Sequence, residues 1–94
     1  GSDMIVMGML AREALKPQFA PGLLGENYIK LKNEAAAKVG STDEKAVNGY
    51  IERELTARLA KQALSDPNGF RQTLLQWQKA GLTVPALISM YGVQ

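Results

Sequence analysis

The chain reads as an all-α protein, a single compact bundle of about five helices, and three observations carry that reading. Every periodic run of apolar residues repeats at helical spacing, and none alternates as a strand does. Glycine, proline and capping residues separate the runs at the offsets that start and stop helices. Hydrophobic residues make up 46% of the 94, too many for an intrinsically disordered chain and enough for one core. Gly1 and Ser2 read as a remnant of tag removal, which leaves 3–94 as one helical domain.

The first helix is expected from about Met4 to Lys16, capped by Asp3 and terminated by Pro17. Its apolar residues cover most of its girth, so it either stands at the centre of the core or packs on a partner. Two prolines and two glycines within Pro17–Gly25 mark a connector without regular structure, with Phe19, Leu23 and Leu24 pinned inward from it. A second helix follows over about Glu26–Val39, with Tyr28, Leu31, Ala35 and Val39 on one face and Gly40 as a left-handed stop.

Ser41-Thr42-Asp43-Glu44 fits a capping box, Ser41 at the N-cap and Glu44 reaching back from the third position. The third helix, about Thr42–Leu64, carries Val47, Ile51, Leu55, Leu59 and Ala63 every four residues, with Tyr50 and Leu64 widening the stripe. Glu54 and Arg58 form an i,i+4 pair in the favourable order. In the turn Ser65–Gly69, Asp66 caps a fourth helix and Pro67 takes its first position. Phe70, Leu74 and Trp77 share one face of that helix, and Gly81 ends it. Thr83 caps a fifth, with Pro85 in its first turn, Leu82 and Leu87 at the positions of a hydrophobic staple, and Gly92 as its stop.

Composition weighs against catalysis. The chain has no cysteine and no histidine. It therefore has no thiolate nucleophile, disulfide or zinc-thiolate site, and it lacks the commonest general base and transition-metal ligand. Asp43 with Glu44, and Glu52 with Glu54, are one or two positions apart on a helix, a spacing that points them in different directions. Ser41 and Ser65 sit where caps belong, with no imidazole to activate either. Gly22 and Gly25 lack the lysine and the preceding strand of a phosphate loop. The expectation is a non-enzyme with no catalytic residues, no cofactor and no metal.

Partners are bounded by charge and hydropathy. The net charge of +2 comes from eleven basic and nine acidic residues, interspersed rather than clustered as a phosphate-binding surface requires. The longest apolar run, Met4–Leu10, is too short to cross a bilayer and lacks the pattern of a signal peptide, so the chain is expected to be soluble.

The C-terminal third carries the sharpest motifs. Thr83, Leu87, Gly92 and Val93 have the spacing of the first helix and turn of a helix-turn-helix, Thr-x3-Leu-x4-Gly-Val. A recognition helix would have to follow, and the sequence given ends at Gln94. A nucleic-acid-binding domain truncated before that helix is the alternative reading. The stretch ALSDPNGFRQTLLQWQKAGLTVPALISMYGV, residues 63–93, resembles the tryptophan half of the WY domain of secreted RXLR effectors from oomycete plant pathogens. Phe70, Leu74, Trp77, Gly81, Thr83, Leu87 and the Gly92-Val93 ending carry the likeness, over about a third of the chain. The tyrosine of that domain lies on a later helix. Here only Tyr91 follows, close behind the motif, and Tyr28 or Tyr50 would have to supply its place in the core. The resemblance implies a virulence protein secreted into the host cell cytoplasm, where it binds host proteins and suppresses immunity without catalysis.

The expected core is therefore Trp77, Phe70, Leu74, Leu87, Leu55 and Leu59. The expected partner is another protein, with Met4, Met7 and Leu10 as candidate contacts, because methionine repacks readily against varied surfaces. Self-association as a homodimer is a further expectation if the first helix cannot be covered by its own domain.

Overall fold

A computed structural model describes residues 2–40 and 43–82. Among them it is all-α, with five helices: α1 (Ser2–Ala14), α2 (Ala20–Leu24), α3 (Glu26–Val39), α4 (Glu44–Ser65) and α5 (Pro67–Lys79). The expected fifth helix, with Thr83, Pro85, Leu87 and Gly92, lies outside the described residues, as do Ser41 and Thr42.

The helix ends follow local chemistry. α1 starts at Ser2 and takes Asp3 into the helix rather than leaving it as the cap. It ends two residues earlier than expected, because the residue before a proline is disfavoured in helical geometry. The Lys16 amide instead closes a tighter turn on the Glu13 carbonyl, at 3.2 Å. The connector is corrected too: residues 20–24 form a short helix with Pro21 in its first turn, where the missing N–H has no partner to lose. α3 runs over the expected residues, and Gly40 stops it at φ 62°.

The N-cap of α4 is Asp43, whose carboxylate accepts the Lys45 amide at 3.1 Å, rather than Ser41. Asp66 alone joins α4 to α5. Its amide donates to the Gln62 carbonyl at 2.8 Å to finish one helix, and its carboxylate accepts the Gly69 amide at 3.1 Å to open the next. Asp66→Ala is expected to cost about 1 kcal/mol, the worth of an N-cap, seen as a lowered urea midpoint with an unchanged slope. An unchanged midpoint would show that the cap contributes nothing.

α5 closes with a Schellman arrangement: the Leu82 amide donates to the Trp77 carbonyl at 3.1 Å and the Gly81 amide to that of Gln78 at 3.0 Å. The turn needs Gly81 at φ 103°, where a side chain would be strained. It carries Leu82 into the core.

α4 is the hub on which α1, α3 and α5 all pack. A spacing of four residues advances about 40° per step around a helix of 3.6 residues per turn. The α4 stripe therefore winds, and its two halves serve different neighbours. Its first half, Val47 and Ile51, meets Leu31 and Ala35 of α3, with Leu15 and Tyr50 at the edge of this smaller cluster. Its second half, Leu55 and Leu59, joins the main core with Ala63 packed against it. That core also holds Val6, Met7, Leu10, Ala11 and Ala14 of α1, Ala20 and Leu24 of α2, and Phe70, Leu74 and Trp77 of α5. Phe19, Leu23 and Tyr28 pack against it from outside.

Leu64 does not widen the stripe. Five residues beyond Leu59, it sits about 140° away around the helix, and it is exposed. No polar or charged residue is buried as a whole among the described residues, although Gln78 Oε1 is covered without a hydrogen-bond partner, so this core rests on apolar packing.

Candidate functional site

Several surfaces among the described residues combine apolar side chains with solvent access, and two of them bring several large apolar residues together. The first is the outer face of α1. Val6, Met7, Leu10, Ala11 and Ala14 fall on one side of that helix and are buried. Met4, Ile5 and Met9 fall on the other, at 46%, 68% and 44% exposure. Gly8 lies among them, with open space where a side chain would stand.

This divides the three expected contact residues. Met4 is on the outer face, whereas Met7 and Leu10, at 1% and 0% exposure, are core residues in this fold and are corrected accordingly. A helix apolar on nearly all sides carries no internal mark of which side faces its neighbours, so Ile5 and Met9 gave no signal that would have separated them from Met7. Toward the C-terminal end of α1 the surface turns polar. Arg12 Nε lies 3.0 Å from Glu52 Oε1 of α4, and Lys16 pairs with Glu13 at 2.9 Å.

The second surface is a groove of about 340 Å³ between α2, α3, α4 and α5. Leu24, Leu31, Leu55, Leu59 and Trp77 form its floor, each almost fully covered. Its rim is polar: Asn27 from α3, Gln62 from α4, and Thr73 and Gln76 from α5. The Thr73 hydroxyl donates to the Gly69 carbonyl at 3.0 Å. Arg58 stands at the edge between two carboxylates, 3.1 Å from Glu34 of α3 and 3.7 Å from Glu54 one turn earlier.

Three of the four carboxylates weighed for chemistry are engaged elsewhere. Asp43 caps α4, Glu52 pairs with Arg12, and Glu54 pairs with Arg58. Among the described residues no three metal-ligating side chains gather at one place. No helix among them is long and apolar enough to cross a membrane. The expected core residues Trp77, Phe70, Leu74, Leu55 and Leu59 are all buried, while Leu87 lies outside the described residues. The helix-turn-helix spacing, Thr83 to Val93, and the last third of the WY-like stretch fall there too.

Compared with known proteins, the chain matches no family model, no curated sequence and no solved structure.

Proposed function

We propose that this chain is a non-enzymatic protein-interaction module whose core holds the outer face of α1 rigid for a partner. The observation that supports it is the row of Met4, Ile5 and Met9 in solvent on a helix whose opposite face is fully occupied by the core. Large apolar side chains grouped around a glycine let a partner helix or groove approach closely, and methionine adapts to the shape it meets. The resemblance of residues 63–93 to the WY unit supplies the finer part of the proposal. The partner is a host protein, and the chain is a secreted pathogen effector that blunts immunity by binding it.

The test is an Ile5→Glu/Met9→Glu variant. Both positions are exposed, so thermal stability is expected to stay within about 0.5 kcal/mol per substitution. In a pull-down from plant extract, the partners retained by the unaltered chain are expected to be lost by the variant. If the face binds a second copy instead, the solution molar mass of the unaltered chain will be that of a dimer and will halve in the variant. Retention of the same partners by the variant, at the same yield, would overturn the proposal.

A further inference from the structure

We infer that this fold can exchange halves between two copies, with Gly40 as the hinge, so that α1, α2 and α3 of one chain pack on α4 and α5 of the other. Residues 40–43 are the single covalent link between those halves, and both core clusters are built across it. In the main cluster Met7, Leu10 and Leu24 precede the link, and Leu55, Leu59 and Phe70 follow it. In the smaller one Leu31 and Ala35 precede it and Ile51 follows. Two ion pairs cross it as well, Arg12 with Glu52 at 3.0 Å and Glu34 with Arg58 at 3.1 Å. All of these contacts are non-covalent, so a second copy can supply the other side of each, and a symmetric pair keeps them all. The occupant of each half is thus specified by the fold itself: it is the other half of the same sequence.

Only the connector must differ between the two forms, and residue 40 decides which form it takes. In the closed chain Gly40 is left-handed, at φ 62° and ψ 30°, and its amide donates to the Ala36 carbonyl at 3.0 Å. That turn folds α3 back on α4. With helical angles at residue 40, α3 runs on into α4 as one rod from Glu26 to Ser65, about 60 Å long. A straight rod cannot pack α3 on its own α4, so both take their neighbours from a second copy. Glycine favours the closed form on two counts: it tolerates a left-handed turn and it is a poor helix former. Alanine reverses both preferences. Nothing lies within 4 Å of where its methyl would stand, so the substitution acts through the backbone and not through a clash. The short connector holds the halves of one chain at an effective concentration on the order of a millimolar, which keeps the unaltered chain closed below that range.

The experiment is sedimentation of the whole chain and of Gly40→Ala. Gly40→Ala is expected to keep its helical signal and to pair about 100-fold more tightly than the unaltered chain, as a dimer at tens of micromolar. Exchange does not involve the outer face of α1, so adding Ile5→Glu/Met9→Glu to Gly40→Ala should leave the dimer intact. A flexible Gly/Ser insertion after Thr42 should return Gly40→Ala to a monomer, because a longer connector closes without the left-handed turn. Arg12→Lys, added to Gly40→Ala, places an amine beside Glu52 that a carbodiimide can join to it. In dimers refolded from a mixture of isotope-labelled and unlabelled copies, crosslinks from residue 12 to residue 52 are expected to join labelled to unlabelled peptide. Four results would each overturn the inference: Gly40→Ala staying monomeric at a concentration of about 100 µM, Gly40→Ala losing its helical signal instead of doubling its mass, a dimer abolished by Ile5→Glu/Met9→Glu, or crosslinks confined to single copies.

Discussion

Trp77→Ala is expected to melt far below the unaltered chain. The indole is 6% exposed, shares the main core with Phe70 and Leu74 of its own helix, and accepts the Leu82 amide through its main-chain carbonyl. Removing a buried aromatic side chain costs about 3–5 kcal/mol, partly as lost transfer free energy and partly as the cavity left behind. A domain of this length has a total stability on the order of 5–14 kcal/mol, so the loss takes from about a fifth of it to nearly all of it. No disulfide stands behind the core to limit the damage. Circular dichroism during heating will show the helical signal collapsing early or absent at the start. A melting curve close to that of the unaltered chain would mean that the indole is a surface contact and that the core is organised elsewhere.

Leu10→Ala is expected to be nearly as severe and decides what α1 is for. Leu10 is at 0% exposure in the main core, and truncation of a buried leucine costs about 2–5 kcal/mol. Ile5 lies five residues earlier on the opposite face, and Ile5→Ala is expected to change stability by no more than about 0.5 kcal/mol. Urea denaturation of the two variants side by side is the measurement. A large gap between them makes the inner face of α1 structural and leaves the outer face free for binding. Equal, small losses would mean that α1 packs only loosely on its own domain and owes its order to a partner.

Where period and punctuation agree, the helices are legible from the residues alone. Glu26–Val39 has a single apolar face and a glycine stop, and α3 occupies those residues. Asp66-Pro67 and the Phe70–Leu74–Trp77 face likewise place α5. Legibility fails where one signal serves two structures. Proline and glycine in residues 17–25 read as punctuation, yet proline in a first turn is also how a helix starts, and α2 is built that way. On α1 the apolar residues outnumber the positions the core can take, so composition predicts burial for Met4, Ile5 and Met9 as readily as for Met7 and Leu10. Leu82 reads as the apolar residue before a following cap, but the Schellman turn at Gly81 gives it a place in the core first. Of the two surfaces, the outer face of α1 was visible only as an unassigned surplus of hydrophobic residues. The groove was not visible at all, because Asn27, Gln62 and Gln76 meet through tertiary packing and share no local pattern.

The winding of the α4 stripe also sets the order in which the molecule comes apart. α1, α2 and α5 are joined through one continuous cluster, so none can leave without exposing the side chains of the others. α3 is anchored mainly by Leu31 and Ala35 against Ile51, with Tyr28 at the border of the larger cluster and a solvent-screened ion pair from Glu34 to Arg58. It is expected to open at a lower free energy than α1, which hydrogen exchange of the α3 amides will show. Asn27 belongs to that helix, so one wall of the groove can move on a faster clock than the rest of the fold.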